Sequence, residues 1–183
     1  MQKKGKDNGP VLEVARKVQA DLSKLYTEHL DDREEHSAGY KFNEWEIQGI
    51  PLRIEIGPRD MATNECVMAR RDGVKTKVKL DDLVALVPPA LKELQNALYE
   101  KAKKSLVENT HLEDDYGKFK ERLETEAGFY QMHWCGKDAC ELRVKEDTKA
   151  TIRCIPFDQI REDGKCIACG AASTGRVVFA RSY

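Results

Sequence analysis

Two groups of residues in this chain have the types and the spacing to do chemistry. The first lies between Gly39 and Asp60. Phe42, Trp45 and Glu46 stand at i, i+3 and i+4, so a helix places them on one face. After a break at Gly49–Pro51, Leu52, Ile54 and Ile56 alternate with Arg53 and Glu55, the pattern of a half-buried strand. Gly57-Pro58 stops that strand and leaves Arg59 and Asp60 at its end. A ring, a carboxylate and two guanidiniums gathered in one place suit an unstacked base. The ring stacks, Glu46 accepts from a guanine Watson–Crick edge, and arginine offers a fork to its acceptors. Charged residues flanking a strand are usually a solvated face, so the pattern by itself does not fix a function.

The second group is Cys135-x4-Cys140 followed by Cys166-x2-Cys169. Two short-range thiol pairs joined by a longer loop can close a tetrahedron around Zn2+, and Gly136 and Gly170 allow tight turns at the metal. A redox dithiol would use Cys166 and Cys169 and leave the other pair unexplained. A catalytic zinc keeps a position open, whereas four thiolates fill it, so the expected zinc is structural. His133 is assigned to packing or to the surface, and His29 and His36 lack partners at ligand spacing. Cys66 and Cys154 sit in apolar, β-type runs and are expected as small buried hydrophobes.

The elements that must position these groups can be read from the flanking pattern. Val11, Leu12, Val14, Ala15, Val18, Leu22 and Leu25 recur at helical spacing, with a capped start near Asn8–Pro10. Residues 26–30, 52–57, 65–70 and 74–80 read as strands, the last two joined by a tight turn at Asp72-Gly73. Asp81 is placed to cap a following turn. Pro88-Pro89 is expected to break the chain and start a helix bearing Leu91, Leu94 and Leu98. Further on, Tyr116, Phe119 and Leu123 mark a helix, residues 129–133 a strand that leads into Cys135, and residues 176–180 a terminal strand.

The chain has 183 residues, 40% hydrophobic and 34% charged, which is ordinary for one or two small soluble domains. No 18-residue apolar run and no signal-peptide core are present, so neither a membrane partner nor export is expected. Six cysteines in this arrangement fit a reducing, cytoplasmic setting better than a disulfide framework. A net charge of −1 does not advertise nucleic-acid binding, but Arg70, Arg71, Lys75, Lys77 and Lys79 against one acid, Asp72, make a local basic patch.

The run from Gly39 to Asp60 resembles class II prolyl-tRNA synthetases of the archaeal/eukaryotic-like type. Leu30-Asp31-Asp32-Arg33 precedes it, and Ala150–Phe157 and Phe179–Tyr183 extend the likeness to the carboxyl end. The resemblance implies an α/β anticodon-binding domain over residues 1–108, a mixed sheet flanked by helices. A small α+β zinc-binding domain follows over 109–183, and the cysteine spacing matches it independently. It further implies that Phe42, Glu46, Arg53, Arg59 and Asp60 read the anticodon of proline tRNA, whose anticodons share two guanines. Some relatives carry Lys at Arg59, which keeps the charge and alters the fork. The terminal carboxylate of Tyr183 would reach an active site in the intact enzyme, where ATP and Mg2+ also belong. No catalytic residue is expected in this chain, and it is expected to be inactive alone.

The implied first domain opens with a strand, yet here a helix begins within about ten residues, leaving no room for a strand of ordinary length. The expectation is a fragment with an exposed edge that invites self-association, from an enzyme that is itself a homodimer. Two other readings stand beside this one. A free-standing zinc-bearing RNA-binding module would use the same residues, and a structural or protein-interaction domain would lack tRNA affinity.

Overall fold

Strand β1 (Leu52–Glu55), β2 (Glu65–Arg70) and β3 (Lys75–Lys79) form an antiparallel meander in the order β1-β2-β3. The computed structural model describes residues 9–182 and divides the chain into two units, Met1–Glu100 and Lys101–Tyr183. In the first unit, helices α1 (Gly9–Leu22) and α2 (Ala38–Ile47) precede β1, and a short helix α3 (Pro58–Ala62) joins β1 to β2. A 3-10 turn, Leu80–Asp82, leads into the long α4 (Leu83–Glu108). Period-two alternation sends Leu52, Ile54, Cys66, Met68 and Val78 to one sheet face, against Leu22, Leu83, Val87 and Ala90. Arg53 and Glu55 take the opposite face of β1. Among the described residues β1 pairs only with β2, Ile54 facing Met68.

Four expectations need correction here. Residues 26–30 form no strand. A strand needs a ladder partner, and none pairs with this segment among the described residues; the chain just beyond it is tied to α2 by side chains instead. Pro88 and Pro89 do not break the chain but lie inside α4. Each removes one intrahelical hydrogen bond, a cost of about 3 kcal/mol in a helix interior, and burial of Leu83, Val87, Ala90 and Leu94 along the same helix opposes it. Asp81 does not cap. It lies within the 3-10 turn and accepts from Asn64 Nδ2 at 2.7 Å. Cys154 is exposed, because the register of its strand shifts between Ile152 and Cys154. The hairpin at Asp72-Gly73 forms as expected, with Gly73 N–H donating to Arg70 O at 3.0 Å, and Cys66 is buried. The helix start at Asn8 lies outside the described residues.

The second unit is a mixed four-stranded sheet. Strand β4 (Thr110–Leu112) runs parallel to β5 (Phe129–His133); β6 (Ala150–Cys154) and β9 (Arg176–Arg181) complete the order β4-β5-β9-β6. Helix α5 (Tyr116–Thr125) is capped by Asp115, which accepts from Lys118 N–H at 2.9 Å, and α6 (Asp138–Thr148) follows β5. Phe119, Tyr130, Met132, Val144 and Phe179 are fully buried, with Phe119 edge-on to Tyr130 at 5.1 Å. A small ribbon, β7 (Gly164–Lys165) with β8 (Ala172–Ser173), carries the second cysteine pair. The fold is mixed α/β throughout, its sheets flanked by helices. Among the described residues no helix is long and apolar enough to cross a membrane.

Candidate nucleic-acid interface and metal centre

Helix α2 begins at Ser37, whose side chain accepts from Tyr40 N–H, and its 3.6-residue period aligns Phe42 with Glu46. Strand β1 turns Arg53 toward that face. The Arg53 guanidinium lies 3.9 Å above the Phe42 ring centroid. Its Nη1 donates to Glu46 Oε1 at 3.0 Å, while Nε and Nη2 both donate to Glu55 Oε1, at 3.0 and 2.9 Å. Three of the residues picked from sequence therefore converge, together with Glu55, which the sequence did not single out. Arg59 and Asp60 stand on α3, where Asp60 Oδ2 accepts from Gly57 N–H at 3.0 Å. Among the described residues no hydrogen bond or ion pair joins those two to the Phe42–Glu46–Arg53 cluster.

A second set of contacts holds α2 in place. Asp31 accepts from Arg33 through Nε (2.9 Å) and Nη2 (2.7 Å), and from Trp45 Nε1 at 2.8 Å, with Lys41 Nζ 3.4 Å away. Arg33 reaches on to Glu44. Hydrogen bonding from Arg33, supported by Trp45 and Lys41, holds the Asp31 carboxyl well below the usual carboxylate range although burial opposes it. Trp45 thus has its indole N–H engaged and the His29 ring 4.7 Å from its own.

The basic patch is less positive in space than in sequence. Lys75, Lys77 and Lys79 line exposed positions of β3, but Glu65 sits between Lys77 (2.8 Å) and Lys79 (3.1 Å), and Glu55 lies 3.8 Å from Lys75. Hydrogen bonds from Lys77, Thr63 and Lys79 pull the Glu65 carboxyl down to about 2. Arg70 pairs with Asp72 and Glu93, and Arg71 donates to Gly49 O at 2.8 Å. Trp45, Glu46, Ile50, Arg53, Ala69, Arg70 and Arg71 enclose a small niche between α2 and the sheet.

In the second unit Cys135 follows β5, Cys140 lies in the first turn of α6, and Cys166 and Cys169 bracket the turn between β7 and β8. Their four Sγ atoms all lie within 4.8 Å of one another; Cys135 is 3.6 Å from Cys140 and 3.8 Å from Cys169. A tetrahedron with Zn–S bonds of about 2.3 Å has edges of about 3.8 Å, so the four sulfurs are spaced closely enough to hold one metal ion and too widely to be disulfides. Gly136 and Gly170 take φ of +79° and +73°, as the tight turns require. Burial raises the Cys166 thiol, but backbone amides of Cys169 and Ala168 outweigh it and bring the group to about 7; burial pushes Cys140 up to about 12. His133 is buried 3% exposed, its Nδ1 3.2 Å from Ser173 Oγ and its Nε2 3.7 Å from Glu162. It braces the ribbon; it is not among the clustered sulfurs. The carboxylate of Tyr183 lies outside the described residues.

Known proteins match both parts of the chain. Residues 3–88 match the family model described as "Anticodon binding domain", and residues 116–183 match "Prolyl-tRNA synthetase, C-terminal". The chain is 42% identical over 181 residues to a proline--tRNA ligase of Natranaerobius thermophilus, covering 97% of this chain and 37% of that protein. It is 39% identical over 177 residues to proline--tRNA ligase 2 of Clostridioides difficile, covering 96% and 37%. Among solved structures, prolyl-tRNA synthetase of Cryptosporidium parvum, complexed with L-proline and AMP, superposes with a TM-score of 0.88 at 30% identity, covering 98% of this chain and 38% of that one. The chain thus spans a little over a third of the length of these relatives. It belongs to the prolyl-tRNA synthetase family, of which it carries the anticodon-binding domain and the C-terminal domain.

Proposed function

We propose that this chain recognises the anticodon of proline tRNA, with Phe42, Glu46, Arg53, Arg59 and Asp60 at the base-reading surface. The observation that carries the reading is the convergence of the Phe42 ring, the Glu46 carboxylate and the Arg53 guanidinium at 3.0–3.9 Å. The carboxylate and the guanidinium are an acceptor and a donor suited to a guanine Watson–Crick edge, and the ring is the surface on which the donor is stacked. Arg70, Arg71, Lys75, Lys77 and Lys79 would grip phosphates and set the register of the RNA without reading it. Cys135, Cys140, Cys166 and Cys169 would hold one structural Zn2+, which ties β5, α6 and the β7–β8 ribbon together and fills a coordination shell with no open position.

A longer protein containing this chain would be a proline--tRNA ligase, attaching proline to its tRNA at the expense of ATP, with Mg2+. That step belongs to the portion its relatives have in addition, and no residue here is assigned to it. The Tyr183 carboxylate would reach into that portion. The setting would be cytoplasmic and the whole enzyme a homodimer. A filter-binding titration with proline and non-proline tRNAs tests the reading. Selective retention of proline tRNA supports it; equal retention of all tRNAs overturns it.

A further inference from the structure

Arg53 is held by two carboxylates that differ in kind. Glu46 is 57% exposed at its side chain and makes one contact, to Nη1. Glu55 is 13% exposed and takes both Nε and Nη2 through a single oxygen, so it fixes the guanidinium plane along its inner edge. That plane lies over Phe42 at 3.9 Å. A guanidinium stacked on a ring but unanchored in its plane is free to rotate, and a rotated fork no longer presents one N–H in a fixed direction. We propose that Glu55 is a positioning residue for base recognition: it locks Arg53 onto Phe42 and leaves Nη1 as the exchangeable donor. This inference rests on the anticodon reading above and adds the residue that sets its geometry.

The consequence for recognition follows from hydrogen-bond order. In the free chain Arg53 Nη1 and Glu46 satisfy each other at 3.0 Å. A guanine Watson–Crick edge carries the O6 acceptor beside the N1–H and N2–H donors. It can open that pair and satisfy both partners, O6 taking the Nη1 proton and Glu46 taking N1–H. Adenine presents a donor where guanine presents O6 and an acceptor where guanine presents N1–H. It would then leave a donor facing Nη1 and an acceptor facing Glu46. The exposed, singly bound Glu46 is the mobile member of this exchange. Glu55, anchored on β1 opposite Val67 and backed by Lys75 at 3.8 Å, stays put.

The test is fluorescence-anisotropy binding of the metal-loaded chain to proline tRNA and to a transcript whose anticodon guanines are replaced by adenines. Wild type, Glu55→Ala and Glu55→Gln are compared, and thermal unfolding is measured for each. A merely structural Glu55 would lower the melting temperature and weaken both RNAs alike. A positioning Glu55 gives a discrimination ratio that falls at least tenfold in Glu55→Ala. Glu55→Gln, which keeps one acceptor for Arg53, retains more of the ratio and supplies the folded comparison should the alanine variant unfold. A wild-type chain that discriminates while Glu55→Ala, or Glu55→Val should the alanine variant unfold, keeps the full ratio overturns the positioning role and leaves the anticodon reading intact. A wild-type chain that does not discriminate overturns both.

Discussion

The Asp31 carboxylate accepts the indole N–H of Trp45 at 2.8 Å, and in doing so joins the loop ahead of α2 to the helix that presents Phe42 and Glu46. The same carboxylate accepts Arg33 from two nitrogens and faces Lys41, a buried lysine. Helix α2 is therefore held in place, through Lys41, Glu44 and Trp45, by a charged knot centred on Asp31 and Arg33.

Asp31→Ala is expected to destabilise the first unit by about 1–3 kcal/mol, since donors built around that acceptor lose it. Urea unfolding followed by Trp45 fluorescence in a Trp134→Phe background measures the loss. The pH dependence has a definite sign. Folding lowers the Asp31 pKa, so the folded chain binds fewer protons than the unfolded chain in acid. Its contribution is present above about pH 4 and is lost as pH falls below that. Asp31→Ala removes this acid limb.

Metal removal is expected to loosen the second unit. A chelator, or Cys166→Ser, takes away the cross-link among β5, α6 and the ribbon and costs several kcal/mol. Elemental analysis should return one zinc per chain, falling toward zero in the variant. Limited proteolysis should then cut between Trp134 and Thr174, where the wild type resists.

Metal uptake should release protons. Burial holds the Cys140 thiol up and so favours its proton, whereas backbone amides draw the Cys166 thiol down. Protons compete with the metal for sulfur, so apparent affinity rises with pH from 6 to 8. Competition against a colorimetric chelator across that range reads the slope; a flat profile contradicts thiolate ligation.

Neutralising Lys75, Lys77 and Lys79 to Gln should weaken proline tRNA and other tRNAs alike. It should also lower the slope of log affinity against log salt by about one to three. Glu65 already shares Lys77 and Lys79, which puts the expectation toward the lower end. An unchanged slope would remove these lysines from the interface.

Local pattern was legible wherever one short-range rule decided the outcome. Alternation placed Leu52, Ile54 and Ile56 on the core face, Asp72-Gly73 made its turn, and the cysteine spacing located four sulfurs that the fold brings within 4.8 Å. The failures all depended on distant partners. Residues 26–30 have strand composition and find no ladder partner among the described residues. Pro88 and Pro89 are carried by a helix whose buried face runs on both sides of them. Cys154 follows a register shift that only its pairing with Val178 reveals. Glu55 read as the polar half of an alternating strand, and the Arg53 contact that gives it meaning depends on the pleat and on Phe42 from another element. His133 was left between packing and surface, and its burial against Ser173 is a contact made across 40 residues of chain.

The most direct test of the central claim is the binding of wild type and Glu46→Ala to proline tRNA and to the same tRNA with both anticodon guanines changed to adenine. The account predicts at least tenfold tighter binding of the guanine-bearing RNA by wild type, and a ratio near one for Glu46→Ala at little change in affinity for the altered RNA. Equal affinity of the wild-type chain for the two RNAs would contradict it.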